Sequence, residues 1–244
     1  MKMKTRLILF VTISLIGTMT CFAQEAKLDD VLAAYYKAIG TEKMKDWQTI
    51  TSTGKSIVQG TEYPFKVFLK RPGMIRVEAE VQGNKMIQVF SGTQGWSIVP
   101  WSGSSDPQDM TADEMKGMKS QTDLEGGLYN WKEKGHKAEL IDKEDMEGSM
   151  VYKIKLTKAD GDIETWYIDA DSYVPLKMIS IVKIQGNETE SEADFSNYAD
   201  INGVLMAKTN INKFKGQTVA TVQMDKIDIN LPVSDSLFVK PVKK

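Results

Sequence analysis

"VFLKRPGMIRVE", residues 67–78, has a strand pattern on each side of a break. Apolar and more polar side chains alternate before and after the break, as they do in a strand with one buried face. Proline cannot donate a hydrogen bond to a neighbouring strand, so Pro72 with Gly73 interrupts the pairing. The stretch therefore predicts two strands joined by a tight turn, with Arg71 beside the proline.

Arg71 and Arg76 are the only arginines after the first six residues of a lysine-rich chain. A guanidinium has five donors in a rigid fork and can join several acceptors, which a lysine cannot do. Arg71 is then either a residue that ties neighbouring segments together or an ordinary solvated turn residue. Arg76 has the parity of Glu78 and Glu80, so we expect it to face outward as a surface charge.

The period of two continues on both sides of this hairpin. Strand-like runs span residues 47–60, 63–70, 74–81, 85–92, 95–101, 150–158, 163–170, 175–184, 189–199, 204–214 and 218–229. Gly-containing turn pairs such as Gly83-Asn84 and Asn202-Gly203 separate them. About eleven short strands with tight turns form an antiparallel meander, and a sheet this wide rarely stays flat. The sequence predicts an α+β protein built on a barrel or a strongly curved half-barrel.

A helix precedes the strands. Apolar residues recur at helical spacing over residues 27–39, and Gly40 follows as a stop signal. These apolar residues are Leu28, Val31, Leu32, Tyr35 and Ile39.

Residues 101–135 do not follow the strand pattern. Thr111 with Glu114, and Thr122 with Glu125, are spaced as capping boxes and predict two short helices. Glycines weaken both, because each costs about 1 kcal/mol relative to alanine in a helix. The segment is either a surface loop with helical turns or a mobile lid over the concave face of the sheet. The lid residues would be Met115, Met118, Leu124 and Leu128.

The first residues have the pattern of a secretory signal peptide. Lys2, Lys4 and Arg6 precede an apolar run that is too short to span a bilayer, and a small-x-small site ends at Ala23. Cleavage before Gln24 is expected, so residues 1–23 would be removed. A lipoprotein signal with acylated Cys21 is the alternative.

The remaining chain, residues 24–244, is expected to form one exported domain. It has 28 basic and 33 acidic side chains, a formal charge of −5, which argues against nucleic acid as a partner. Cys21 is the only cysteine, so this part of the chain can form neither disulfides nor thiolate sites. No cofactor or metal site is predicted.

Two quoted runs carry a family resemblance. "FLKRPGMIR" (residues 68–76) and "VFSGTQGWSIVP" (residues 89–100) resemble the strand, Lys-Arg-Pro, strand, Gly-x-x-x-Trp order of the LolA/LolB-like superfamily of periplasmic outer-membrane lipoprotein-sorting carriers. The likeness covers most of residues 27–240, although only residues 66–100 carry the motif. It implies a curved antiparallel half-barrel with helices on its concave side, where lipid acyl chains are held.

The resemblance also implies roles for the protein and for Arg71. The expected function is a monomeric periplasmic carrier that takes acyl chains of lipoproteins or lipids from an inner-membrane partner towards an outer-membrane partner. Arg71 would be a latch that hydrogen-bonds the lid and keeps the empty cavity shut. A non-transporting module of the same fold, which senses lipids or binds a protein, is the alternative function.

Parity predicts which side chains line the cavity. The expected lining residues are Phe65, Val67, Leu69, Ile75, Val77, Tyr152, Ile154 and Leu156, joined by Trp96. Catalysis has little support, because the sequence has no nucleophile elbow, phosphate loop or cysteine nucleophile after residue 23. His136, the only histidine, lies in a polar run and is expected to be exposed to solvent. A glycosidase-like carboxylate pair is the remaining catalytic alternative.

Overall fold

The computed structural model describes residues 26–103 and 106–242 of the chain. The expected signal peptide, its cleavage site and Cys21 lie outside these residues. Within them, two α-helices and thirteen strands are formed. The helices are α1 (Leu28–Ile39) and α2 (Ala112–Ser120). The strands are β1 (Thr49–Val58), β2 (Thr61–Lys70), β3 (Met74–Val81), β4 (Asn84–Ser91), β5 (Gly95–Ile98), β6 (Gln108–Asp109), β7 (Lys137–Met146), β8 (Ser149–Thr157), β9 (Ile163–Asp169), β10 (Pro175–Ile184), β11 (Asn187–Ile201), β12 (Val204–Phe214) and β13 (Gln217–Ile229).

All the strands belong to one antiparallel sheet with the order β6-β5-β4-β3-β2-β1-β13-β12-β11-β10-β9-β8-β7. The first and last strands are neighbours in its middle, and β6 and β7 form its two edges. Phe90 of β4 and Trp166 of β9 line one common cavity although many strands separate them, so the sheet curves strongly. The predicted half-barrel is confirmed, and it is open rather than closed.

The strand count was too low by two, because β6 and β7 were not predicted. Strand β7 carries six charged side chains among ten residues, and an irregularity between Leu140 and Asp142 breaks its alternation. Charged side chains and bulges are typical of edge strands, because they discourage pairing with other chains. The same charges and irregularity remove the regular alternation of apolar and polar residues, so β7 cannot be recognised as a strand by its periodicity.

Helix α1 ends as predicted. Gly40 has φ 78° and donates its N–H to the Tyr36 carbonyl at 2.9 Å. A Cβ on Gly40 would lie 2.3 Å from the carbonyl oxygen of Gly203, so the helix end and the β11–β12 turn approach too closely for a side chain. The short 3-10 helix Thr41–Asp46 follows and leads into β1.

The main core lies between α1 and the concave face of the sheet. Val31 and Leu32 of the helix pack with Ile50 of β1, Ile168 of β9 and Val204 of β12, and all five are buried. These strand residues lie near one end of the sheet, which we call the helix end. The opposite end, formed by the β1–β2, β3–β4, β8–β9, β10–β11 and β12–β13 turns, is called the open end.

A second cluster lies on the outer, convex face. There the C-terminal segment, residues 230–242, packs Val233 and Phe238 against Val89 and Trp96. Trp96 donates its indole N–H to the Phe238 carbonyl at 3.2 Å. The expectation that Trp96 lines the cavity is therefore wrong, because its position on β5 puts it opposite Val89 on the convex side.

Arg76 is also placed differently from the prediction. Its parity does put it on the convex face, but it is buried there rather than solvated, with 9% of its surface exposed. It pairs with Glu78 at 2.6 Å and donates to the Leu237 carbonyl at 2.7 Å. Its guanidinium lies 5.8 Å from the centre of the Trp96 ring. Sequence parity gives the face of a residue, but it does not show that another part of the chain covers that face.

Candidate functional site

A connecting segment crosses the concave face between the two sheet edges. We call residues 110–136 the crossover segment. Its first contact is a hydrogen bond from Met110 N–H to the Gly95 carbonyl at 2.9 Å. A Cβ on Gly95 would lie 2.8 Å from side-chain atoms of both Met110 and Met115, so a larger residue there would have to displace these methionines from β5.

Helix α2 begins at the predicted capping box. Glu114 N–H donates to the Thr111 hydroxyl at 3.3 Å, and Thr111 N–H donates to the Glu114 carboxylate at 2.7 Å. Gly117 does not interrupt the helix, which continues to Ser120. The second box starts no helix, because residues 121–135 form successive turns.

The four residues predicted for the lid all lie against the concave face. Met118 is buried and Met115 is half-buried in a cluster with Ile75 and Phe90. Leu128 is buried in the main core, and Leu124 packs against the same core. The crossover segment thus turns one apolar side towards the sheet along its length.

Polar contacts attach the crossover segment to both halves of the sheet. Lys116 of α2 pairs with Asp162 at 2.7 Å and with Asp160 at 3.4 Å, both in or beside the β8–β9 turn. Asp113 accepts a hydrogen bond from Gln185 N–H of the β10–β11 turn at 3.1 Å. Helix α2 therefore bridges the curved sheet from β3 and β4 to the opposite half.

Arg71 joins three parts of the chain. Its guanidinium donates to the carbonyls of Trp47 at 2.8 Å and Met44 at 3.2 Å, and it pairs with the Glu125 carboxylate at 2.6 Å. Both charged side chains are largely shielded, with 29% of Arg71 and 13% of Glu125 exposed. The carbonyl partners belong to the turn after α1, whereas the crossover segment contributes a carboxylate. Glu125 therefore pairs with Arg71 and does not cap a second helix.

A groove lies between the crossover segment and strands β9 and β10. Its volume is about 870 Å³, which is within the range of roughly 300–1,000 Å³ that is usual for ligand sites. Apolar side chains of four elements meet there: Phe90, Met115, Trp166 and Met178. The Trp166 ring also stacks on Phe195 of β11, with centroids 6.0 Å apart and planes at 12°.

Charged side chains surround this apolar surface, and most of them are paired. Besides the Lys116 pairs, Lys134 contacts Asp123 at 2.7 Å and Lys158 contacts Glu164 at 3.4 Å. Four lysines and three carboxylates line the groove, and Lys119 is the lysine with no ion pair among the described residues. The arrangement suits a ligand with a large apolar part, because the apolar surface lies within a ring of mostly paired charges.

His136 lines the groove and is half-buried, so the expectation of an exposed histidine is wrong. Its Nδ1 accepts a hydrogen bond from Ala159 N–H at 3.1 Å, which requires that this nitrogen carries no proton. Burial lowers the pKa of the imidazole, and the charges of Lys158 and Lys134 lower it further. Both effects favour the neutral imidazole in the groove wall.

The structure separates the predicted lining residues into groups. Val67, Leu69, Ile75 and Val77 lie on the concave face next to α2, where Ile75 is buried and the others are partly covered. Phe65 is half-exposed on the same face. Tyr152, Ile154 and Leu156 share this face too, but they are buried in the main core under α1 and do not line the groove.

The prediction of lining residues did not include Phe90, Trp166 and Met178, which line the groove. All three lie in runs that the sequence identified as strands, and register places Trp166 opposite both Ile154 and Met178. Parity could therefore have found the face. It could not show which part of the face α1 covers and which part stays open.

Residues 26–103 and 106–242 contain neither a candidate membrane-spanning helix nor a candidate metal site. Over this range no helix combines the length and the apolar character needed to cross a membrane. No group of three or more His, Cys, Asp or Glu side chains in the same range could hold a metal ion.

Comparison with known proteins supports the fold. No family profile and no curated protein matches the sequence. A LolA superfamily protein from Nitrosomonas europaea matches with a TM-score of 0.57 and 15% identity, over 86% of this chain and 97% of that one. The chain has a LolA-like fold. The resemblance predicted from residues 66–100 is thus confirmed at the level of the fold.

Two further solved structures have the same LolA-like fold. A DUF1329 family protein from Desulfovibrio piger has a TM-score of 0.57 and 15% identity, over 86% of this chain and 97% of that one. A domain named for outer-membrane lipoprotein sorting, from Vibrio parahaemolyticus, has a TM-score of 0.56 and 13% identity, over 85% of this chain and 97% of that one. At these identities the likeness concerns the fold, so the function has to be argued from the groove.

Proposed function

We propose that the protein is a periplasmic carrier that binds acyl chains of lipoproteins or lipids in its concave groove and carries them towards the outer membrane. The observation that carries the proposal is the groove itself. It brings Phe90, Met115, Trp166 and Met178 together in about 870 Å³, with mostly paired charges around them. The LolA-like fold and the lipoprotein-sorting name of one structural neighbour support the same function.

The energetics require partners on both sides. Transfer of an acyl chain from water is worth about 0.8 kcal/mol per methylene. Long chains taken wholly from water would thus approach the limit of non-covalent affinity, about 18 to 21 kcal/mol, and would not be released. A carrier of this kind exchanges cargo between surfaces of similar polarity. Inner- and outer-membrane partners would then set the direction of transport.

The proposed location rests on residues 1–23, whose pattern is that of a secretory signal. Cell fractionation with N-terminal analysis tests it. We expect soluble periplasmic protein that begins at Gln24. A diacylglyceryl group on Cys21 would instead indicate a membrane-anchored protein.

A pair of adjacent variants tests the groove. Met178 lines it, whereas the next residue, Ile179, lies on the opposite face of β10. An environment-sensitive fatty-acid probe should bind the protein at about one equivalent and be displaced by a lipopeptide. Met178→Glu should weaken binding by roughly tenfold or more, because a carboxylate would enter the apolar surface. Ile179→Glu should leave it unchanged.

Circular dichroism of both variants would confirm that the sheet is intact. Equal probe binding by wild type, Met178→Glu and Ile179→Glu would show that the groove is not the lipid site. The alternative of a protein-binding module would then be favoured.

A further inference from the structure

Four hairpin turns at the open end repeat one sequence pattern, an apolar residue followed by Gln or Lys and then Gly. They are Val58-Gln59-Gly60, Val81-Gln82-Gly83, Ile184-Gln185-Gly186 and Phe214-Lys215-Gly216. Both turn residues have positive φ in every case, between 49° and 83°. Such two-residue turns match the twist of the paired strands and keep the hairpins short. The apolar residue is always the last one of its strand.

The four apolar side chains lie on the concave face. Side chains an even number of residues apart on a regular strand share a face. Ile184 therefore lies on the face of Met178, and Val81 on the face of Ile75. The register of β1, β2, β12 and β13 places Val58 and Phe214 on this face as well. We call Val58, Val81, Ile184 and Phe214 the apolar lip.

The lip is uncovered, unlike the matching turn at the helix end. Ile184 is 44% exposed and Phe214 is 41% exposed, while Val58 and Val81 are half-buried. At the helix end, Val204 beside the Asn202-Gly203 turn is fully buried against the main core. Among the described residues, no helix packs over the lip as α1 packs over the helix end.

The lip is continuous with the groove. Ile184 and Val182 line a recess of about 230 Å³ beside Lys116, and Lys116 also lines the groove. Asp113, at the start of α2, contacts the β10–β11 turn. The recess therefore connects the lip to the groove, and the ion pairs of Lys116 with Asp160 and Asp162 lie between the two.

The charges at the turns fit an anionic surface. The eight residues of these four turns include one lysine and no carboxylate, whereas the β8–β9 turn at the same end carries Asp160 and Asp162, both paired with Lys116. Lys215 Nζ lies 5.4 Å from the centre of the Phe214 ring, and Lys183 precedes Ile184. Apolar residues next to lysines are typical of segments that rest in the headgroup region of a bilayer.

We propose that the apolar lip is a docking surface for an anionic lipid bilayer, so that cargo passes between membrane and groove at the open end. This inference rests on the proposed function, because it supplies the groove with its lipid. A bilayer fits better than a protein partner, since the exposed apolar residues stand at the tips of separate short turns with lysines beside Phe214 and Ile184. The turns allow shallow insertion of Phe214 and Ile184 with Lys215 at the headgroups.

Vesicle binding tests the lip. The purified protein should co-sediment with phosphatidylethanolamine–phosphatidylglycerol vesicles. Phe214→Ser should weaken that binding by roughly fivefold, and Phe214→Ser with Ile184→Ser by roughly twentyfold, as expected for loss of this apolar area. Met150→Ser and Leu231→Ser are matched controls at the helix end, because these residues are 43% and 46% exposed. They should bind vesicles like wild type.

A second readout separates the lip from the groove. Phe214→Ser should bind the soluble fatty-acid probe as wild type does, because Phe214 does not line the groove. If wild type bound the probe but no vesicles, the proposal that the lip docks on a bilayer would be wrong. A protein partner with an apolar surface would then be the favoured occupant of the lip. Vesicle binding that is lowered equally by the helix-end controls would also overturn the proposal. Vesicle binding that depends on Phe214, in a protein that binds no probe, would support the lip while refuting the carrier function.

Discussion

Arg71 lies where the 3-10 helix after α1, the β2–β3 turn and the crossover segment meet. Each of its partners is separated from it in sequence, since Met44 and Trp47 precede β1 and Glu125 lies far beyond β6. An arginine can serve all three because its donors point in fixed directions. The break at Pro72 therefore has a structural role, because the β2–β3 turn places the Arg71 guanidinium against the crossover segment.

Replacement of Arg71 should loosen the crossover segment. Arg71→Leu removes charge-assisted hydrogen bonds worth about 1.5 to 3 kcal/mol, so amides of residues 121–131 should exchange faster in the lipid-free protein. Arg71→Lys should have an intermediate effect, because an ammonium keeps the charge and loses the fork. Hydrogen exchange measures this directly. Lys70→Met is the control, since Lys70 contacts Val233 and Asp235 on the other face; equal exchange in Arg71→Leu and Lys70→Met would contradict the role.

His136 should give the protein a pH-dependent stability. Burial and then the charges of Lys158 and Lys134 lower its pKa in the folded state, while Asp123 and Glu164 act weakly in the opposite sense. The unfolded chain therefore binds more protons below about pH 6.5. The contribution of neutral His136 is complete above that pH and is lost as the pH falls towards the lowered pKa.

Urea unfolding from pH 5 to pH 7.5 tests this dependence. The free energy of unfolding of wild type should rise with pH more steeply than that of His136→Gln, because the variant lacks the titrating group. Parallel curves for the two proteins would show that His136 titrates alike in the folded and unfolded states.

At the scale of elements, local patterns predicted a good deal. The period of helix α1, its glycine stop and the alternation of eleven strands were all readable, because each depends on neighbours in the sequence. The edge strand β7 and the turns of residues 121–135 were not, because edge protection and the contact of Glu125 with Arg71 override the local signals. The capping box at Thr111 was predictable, since it is complete within four residues.

That capping box should control α2 separately from the rest of the crossover segment. Thr111→Ala removes the acceptor for Glu114 N–H and should cost about 1 kcal/mol of helix stability. Exchange of the amides of residues 112–120 should then be about fivefold faster, with residues 121–131 little changed. Thr111→Asp should exchange like wild type, because aspartate is also a good N-cap. Equal acceleration by both substitutions would argue against the cap.

At the scale of the whole molecule, the groove depends on which surfaces are covered. Helix α1 fills one part of the concave face, α2 bridges another, and the C-terminal segment covers the convex face at β3–β5. Such long-range coverage leaves no periodic trace in the sequence. This explains why parity identified the concave face and yet assigned buried core residues such as Ile154 to the cavity lining.

The C-terminal segment should stabilise the whole sheet. Phe238 is 3% exposed and packs near Trp96 and Val89, so Phe238→Ala should lower the free energy of unfolding by about 3 kcal/mol or more. Val239→Ala, at a residue that is 64% exposed, should change it little. Denaturant unfolding followed by tryptophan fluorescence gives both values. If Phe238→Ala and Val239→Ala had the same free energy of unfolding, the packing of the C-terminal segment would not contribute to the stability of the sheet.

The central position of β1 and β13 affects how the chain assembles. Every other strand pair joins strands that are consecutive in the chain, whereas Ile50 pairs with Ile229 across nearly the whole described length. The entropy of closing such a loop is lost before the new contacts form. We expect β1–β6 and β7–β13 to form first as two separate meanders and to join last along this single seam. A nascent chain would then have no complete groove until its final strand is formed.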